Sequence, residues 1–299
     1  TGTAGSFGAA AAAGATMGLA AEPLARAFGI VGSSSSALKK NFGTMTKPLH
    51  AGHAAEMGVR AALLAAEGFT ADPEILEGPI GYGAVMTPDD SYDPAALTEG
   101  LGSEWAVMDI GYKPYPSGVI THAAMDALRE VLVAEALAPA DIARVEVALD
   151  DAAAEMLHHA RPATGLEAKF SIEFCLAAVI RERDPGVHEF TDEYVTAPAT
   201  RAEIEKVERA FEPNLFGGQF ANYAARVTVE TTAGETYTNE MTDAPGHPSN
   251  PLSSARLTSK FETTAGAVLD EAALDTVQTA IAELETAGSL AALLDALDG

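Results

Sequence analysis

GTMTKPLHAGHAAEMGVRAALLAAEGF, residues 43–69, is the stretch on which the fold turns. Lys47, His50 and His53 place one ammonium and two imidazoles where a tight segment opens into a helix. Pro48 suits a first helical turn, where its missing N–H would have no intrahelical partner anyway. From Ala51 the apolar residues Met57, Ala61, Leu64 and Ala65 recur at three- and four-residue steps, which predicts a helix. Its N-terminus offers unpaired N–H groups and the positive end of the dipole, to which Lys47 adds a full charge. A carboxylate is the natural guest of that arrangement. The plainer alternative is a helix entrance with solvated Lys and His.

Working outward, 299 residues can hold two domains with substantial cores. No charge-free apolar run reaches membrane-span length, and no basic, Leu-rich leader is visible, so a cytoplasmic protein is expected. The lone cysteine, Cys175, excludes an intrachain disulfide framework and reads as a small core residue. Acidic residues number 43 against 18 basic ones, for a net charge of −25. Nucleic acid and anionic membrane are therefore excluded as partners by repulsion. The excess is spread through Asp89-Asp90, Asp150-Asp151, Glu189, Asp192-Glu193 and the last helix, as in a protein adapted to salt. In such a chain the few cations carry more information, above all Lys47, Lys113, Arg161 and Lys169.

The organisation is helical at both ends and mixed between. Residues 3–20 read as a small-residue helix, Pro23 opens a second, and Gly32–Ser36 is a hydroxyl-rich cap or anion loop. Residues 79–102 form a long loop with a short helix at 94–99. Helices are expected over 119–137 and 166–180, and strands over 144–149, 207–211 and 225–230. Ala233-Gly234 turns the last of these into 235–241, a hairpin. Helices return at 253–261, 271–284 and 289–297. No glycine fingerprint, P-loop or nucleophile elbow occurs, and neither His50/His53 nor His158/His159 has a third ligand at zinc-like spacing. Catalysis by side chains with no cofactor and no metal is the expectation.

Four blocks, residues 43–83, YKPYPSGVITHAAMDALRE (112–130), RPATGLEAKFSIEFCLA (161–177) and DAPGHPSNPLS (243–253), resemble the MmgE/PrpD family. That family includes 2-methylcitrate dehydratases, cis-aconitate decarboxylases and iminodisuccinate epimerases. The resemblance implies a mixed α and α+β fold, a split all-helical domain with an inserted smaller α+β lid. The parts would be 1–108, 109–245 and 246–299, with the N-terminal helical region of the family missing. It implies a lyase that dehydrates a small hydroxy-polycarboxylate such as 2-methylcitrate in a cleft between the two domains. A dicarboxylate epimerase, or a non-catalytic truncated paralogue or subunit, is the alternative. It also implies a homodimer, or a complementing chain that brings the missing helices.

Removing a proton α to a carboxylate needs a base, cations for the aci-carboxylate and an acid for the departing hydroxyl. By resemblance Lys47 anchors a substrate carboxylate, and Lys113, Tyr115 and His122 complete the catalytic set. His50, His53, Ser117, Arg161 and Lys169 would bind substrate. Two other readings stay open: a backbone-bonded helix-start histidine at His122, and an ion pair of Lys169 with Glu167 or Glu173. The decarboxylase branch has a histidine where this chain has Gly118, and a tyrosine absent from 150–154, so decarboxylation is the reaction the motifs support least.

Self-repulsion of the acidic coat sets one expected outcome. Molar KCl should raise the melting temperature above its value in dilute buffer, because screening relieves the repulsion. A melting temperature that stays flat or falls would remove the salt-adapted reading.

Overall fold

The computed structural model describes residues 2–87, 91–217 and 223–297, and for 154 and 155 the backbone alone. Asp89 and Asp90, part of the acidic coat, lie outside the described residues. The chain groups into two compact units, Thr1–Ala106 and Val107–Gly299.

The first unit is helical: α1 (Ala4–Thr16), α2 (Ala21–Gly32), α3 (Thr46–Ala66) and α4 (Tyr82–Met86). The helix expected from Ala51 begins at Thr46, so Lys47 and Pro48 occupy its first turn and His50 its second. Helix α1 buries Ser6, Ala10 and Gly14, one residue per turn, and α3 answers with Ala54, Gly58, Ala61 and Ala65. With such small residues the backbones come close. A Cβ on Gly58 would lie 2.4 Å from Ala9 Cβ and 2.6 Å from the Ala10 nitrogen. The serine stretch closes α2: the Ser34 N–H and the Ser35 hydroxyl both donate to the Val31 carbonyl, each at 2.9 Å. Tyr82 then donates to the Ser35 carbonyl at 2.9 Å.

The second unit is a four-stranded sheet covered on one face by helices. Its strands are β1 (Ile142–Asp150), β2 (Val207–Glu212), β3 (Ala225–Thr231) and β4 (Thr236–Met241), in the order β2-β1-β3-β4. β1 and β2 run parallel, β1 and β3 antiparallel, and β3–β4 is the hairpin expected at Ala233-Gly234. The crossover from β1 to β2 carries α6 (Gly165–Ala168), α7 (Ile172–Glu182), α8 (Asp192–Thr196) and α9 (Pro198–Ile204). Helices α5 (His122–Ala134) and α7 pack on the sheet and bury most of the side chains they carry. Val145, Val147 and Leu149 meet them from β1, and Val227 and Val229 from β3. The opposite face is polar. There Arg144 joins Glu146 and Glu208, each at 2.7 Å, and Arg226 joins Glu240 at 2.6 Å.

The single helix expected over 166–180 is two helices. The first ends at Ala168, and Ser171 caps the second, accepting from the Phe174 N–H at 3.2 Å. The Lys169 carbonyl is free of the helix and accepts from Gly118 N–H at 2.8 Å. After β4 come α10 (Ser254–Ala265), α11 (Glu271–Ala282) and α12 (Ala291–Leu297). No helix among the described residues is long and apolar enough to cross a membrane.

The close approach at Gly58 is testable against an internal control. Gly58→Ala should lose about 1–3 kcal/mol in denaturant unfolding although alanine is the better helix former. Gly52→Ala on the same helix, where a Cβ meets nothing within 4 Å, should gain about 0.5–1 kcal/mol. Equal effects at both sites would show that α1 and α3 part freely.

Candidate active site

The second unit holds a cavity of about 680 Å³ walled by the 113–116 strap, α5, the 184–187 turn and α10. The strap is positioned by a glycine contact. Tyr112 N–H donates to the Gly246 carbonyl at 2.8 Å, and Gly246 has φ +84°. A Cβ there would fall 1.7 Å from the Tyr112 carbonyl oxygen, so only glycine fits. Further along, the Lys113 ammonium donates to the Ser117 carbonyl at 3.1 Å and Lys169 to the Pro116 carbonyl at 2.9 Å.

Beneath the strap lies a buried polar network. Tyr115, 2% exposed, donates its hydroxyl proton to Asp126 Oδ1. Arg256 reaches in from α10 and donates Nη1 to Asp126 Oδ2 and Nη2 to Oδ1, both at 2.7 Å. The same Nη2 lies 2.9 Å from the Tyr115 oxygen, and the guanidinium carbon stands 5.4 Å from the tyrosine ring centre. The two-pronged guanidinium–carboxylate fork is the strong form of this pairing. Burial, then the neighbouring Asp126 charge, push the Tyr115 phenol well above its ordinary value, so it stays protonated.

Charge in the cavity is opposite to the charge of the chain. Lys113, Arg129, Arg256 and Lys260 line it, with the hydroxyls of Ser253, Ser259, Thr263 and Thr264. Asp184 is its one carboxylate among the described residues, and it pairs with Arg129 at 2.8 Å. Lys260 uses one ammonium proton on the Lys113 carbonyl at 2.7 Å. An ammonium has two more to give. The arrangement can bind a small anion with several oxygens.

Of the residues singled out from sequence, Lys113 and Tyr115 line this cavity. Ser117 is buried behind the strap, sharing a hydrogen bond with Thr121 at 2.8 Å. Lys169 also lies behind it, with its ammonium 5.0 Å from the Phe190 ring centre. The Glu173 carboxylate takes Arg209 at 3.1 Å, and Glu167 accepts from the Ala163 N–H at 2.7 Å. Arg161 is 71% exposed and bonds Glu205 at 2.6 Å on the surface. Lys47, His50 and His53 lie on α3 in the first unit, Lys47 and His53 exposed and His50 half-buried.

His122 is fully enclosed, edge-on to Tyr115 with ring centres 5.5 Å apart. Neither ring nitrogen reaches a partner at full hydrogen-bond geometry, and the Ser117 backbone gives only a partial pull toward the charged form. Burial first, and the Lys113 charge second, lower its pKa from 6.5 to about 3. His122 is the first residue of α5, as the helix-start reading has it, and burial keeps its imidazole neutral inside the core.

Sequence reasoning missed Asp126, Arg129, Asp184, Arg256 and Lys260. Two signals were present. Asp126 is a carboxylate among Ala123, Ala124, Ala127 and Leu128, a face that should be apolar, and Arg256 and Lys260 are two of the scarce cations spaced four apart.

His122 makes stability pH-dependent with a definite sign. Its folded pKa of about 3 lies below the unfolded 6.5, so its contribution is complete above 6.5 and is lost as pH falls toward 3. Unfolding free energy should drop by about 1.4 kcal/mol per pH unit inside that window from this group alone. His122→Leu, which removes two unpaired polar atoms, should flatten that slope and leave stability at pH 7 unchanged or higher. An unaltered slope would mean that other groups set it.

Comparison with known proteins places this chain in a family. The MmgE/PrpD N-terminal domain matches residues 1–95 and the MmgE/PrpD C-terminal domain residues 115–286. The chain is similar to a cis-aconitate decarboxylase of Homo sapiens, 30% identical over 284 residues, covering 93% of this chain and 57% of the relative. That of Mus musculus is 29% identical, covering 99% and 61%, and that of Aspergillus terreus 24%, covering 96% and 62%. The chain thus spans about three fifths of the length of the curated relatives it matches. With both domains matched in order, the chain belongs to the MmgE/PrpD family.

Proposed function

We propose that this protein is a lyase acting on a small polycarboxylate, most directly the dehydration of a hydroxy-tricarboxylate of the 2-methylcitrate type. The observation that carries the reading is the inversion of charge. A chain of net −25 gathers four cations and four hydroxyls around one cavity of about 680 Å³. That size falls within the range of small-molecule sites. Membership of a family whose relatives here bear a lyase's name supports the reaction class.

In this reading Lys113 and Lys260 hold substrate carboxylates through charge-assisted hydrogen bonds and so position the substrate. Arg256, already shared between Asp126 and Tyr115, orients rather than binds. The Tyr115 phenol, protonated and with its one proton on Asp126, is part of the clamp that holds Arg256 and does not serve as a base. Lys47, on the first turn of α3 in the first unit, keeps the carboxylate-binding role that the family resemblance implies for it. Decarboxylation of cis-aconitate is the second reading, favoured by the names of the three relatives; Gly118 stands against a version of it that needs a histidine there.

Lys113→Ala and Lys47→Ala should each lower kcat/KM at least about tenfold, about 1.4 kcal/mol of transition-state stabilisation. The assay follows loss of 2-methylcitrate and, separately, carbon dioxide release from cis-aconitate. Folded variants with wild-type kcat/KM on both substrates would end the assignment of these lysines. Carbon dioxide release with no dehydration would select the second reading.

A further inference from the structure

Lys169 stands behind the strap, outside the cavity, yet it grips the strap on both sides of Ser117. Its ammonium donates to the Pro116 carbonyl at 2.9 Å, and its own carbonyl accepts from the Gly118 N–H at 2.8 Å. Lys169 lies between the end of α6 at Ala168 and the start of α7 at Ile172, which leaves that carbonyl outside a helical ladder. The two bonds fix both peptide groups that flank Ser117. The Pro116–Ser117 peptide is held by its carbonyl, and the Ser117–Gly118 peptide by its N–H.

Both peptides are trans. In a trans peptide the N–H and the C=O share one plane and point opposite ways. Drawing the Gly118 N–H onto Lys169 therefore turns the Ser117 carbonyl away from Lys169. That carbonyl accepts from the Lys113 ammonium at 3.1 Å. With one proton so placed, the directions of the other two are limited. The clamp has firm backing: the Lys169 ammonium is 5.0 Å from the ring centre of Phe190, a residue of the core, and the Ser117 hydroxyl is tied to Thr121 at 2.8 Å.

We infer that Lys169 is a positioning residue: by holding both peptides around Ser117 it aims the carbonyl on which Lys113 rests, and so sets where Lys113 meets a substrate carboxylate. This rests on the reading of the cavity as a polycarboxylate site in which Lys113 holds one carboxylate. It takes the place of direct substrate binding by Lys169, whose ammonium is engaged behind the strap.

The test is a double-mutant cycle. Tricarballylate, an unreactive tricarboxylate, is titrated by NMR into wild type, Lys169→Met, Lys113→Ala and the double variant. Methionine keeps the length and a favourable contact with Phe190 but removes the donor. Lys169→Met should weaken binding about fivefold, the scale of one misplaced hydrogen bond to a charged group, and by less than about twofold once Lys113 is alanine. Equal losses in both backgrounds would mean that Lys169 acts only on the fold, and no loss in either would deny it a part; both results overturn the inference. Lys169→Gln repeats the cycle should the methionine variant fail to fold. A second readout needs no ligand. The Gly118 amide should exchange with solvent at least about tenfold faster in Lys169→Met, while the Leu128 amide within α5 keeps its wild-type rate. An unchanged Gly118 rate overturns the clamp. A wild type that binds no tricarballylate, with Gly118 responding as expected, would overturn the polycarboxylate reading and leave the clamp on Ser117 standing.

Discussion

The fork between Arg256 and Asp126 is the interaction on which the second unit's cavity depends. Helix α10 forms one wall, yet among the described residues it buries no side chain of its own. Its attachment to the strap and to α5 is polar: Arg256 on Asp126 and Tyr115, and Lys260 on the Lys113 carbonyl. A half-buried ion pair contributes little net stability compared with an apolar contact of the same volume, since both partners give up hydration. What it adds is geometry. Two parallel N–H···O bonds admit one relative placement of the helices, where an apolar contact would tolerate sliding. Removing either partner would strand the other, at a cost of about 3–5 kcal/mol for a buried charge.

Two scales of electrostatics coexist in the chain. The coat of acidic side chains governs solubility and response to salt, and it is screened within about 8–10 Å of water. The cavity cations work at contact distance and are shielded by Pro114, Pro116, Pro185 and Val187 around them. The polar face of the sheet is a third case: Arg144 bridges Glu146 and Glu208, which face each other on β1 and β2, so charges that would repel across the ladder are paired instead.

Local pattern made much of the fold legible. Alternation placed β1, β3 and the β3–β4 hairpin, because each has one face against helices and one in water. It failed at Lys169–Ser171, where the apolar period continues unbroken but tertiary bonds from Gly118 and the Ser171 cap stop the helix. The site was half legible. Lys113 and Tyr115 stand in a distinctive proline-rich segment. Arg256 meets Asp126 across 130 positions of sequence, and nothing in the neighbourhood of either residue announces the other. His122 was visible as an unusual residue but not as a buried one, since burial is settled by Tyr115 and the strap folding over it.

Strand β1 is central in the sheet but first in the chain. Val145 must wait for Val207 on one edge and Val229 on the other. During synthesis both of its edges are open while the whole crossover emerges, and an unpaired apolar strand is a template for pairing with other chains. Arg144 and Glu146, alternating with the valines, would set like charge against like in a parallel, in-register self-pair of that strand. The same two side chains later knit the sheet's outer face.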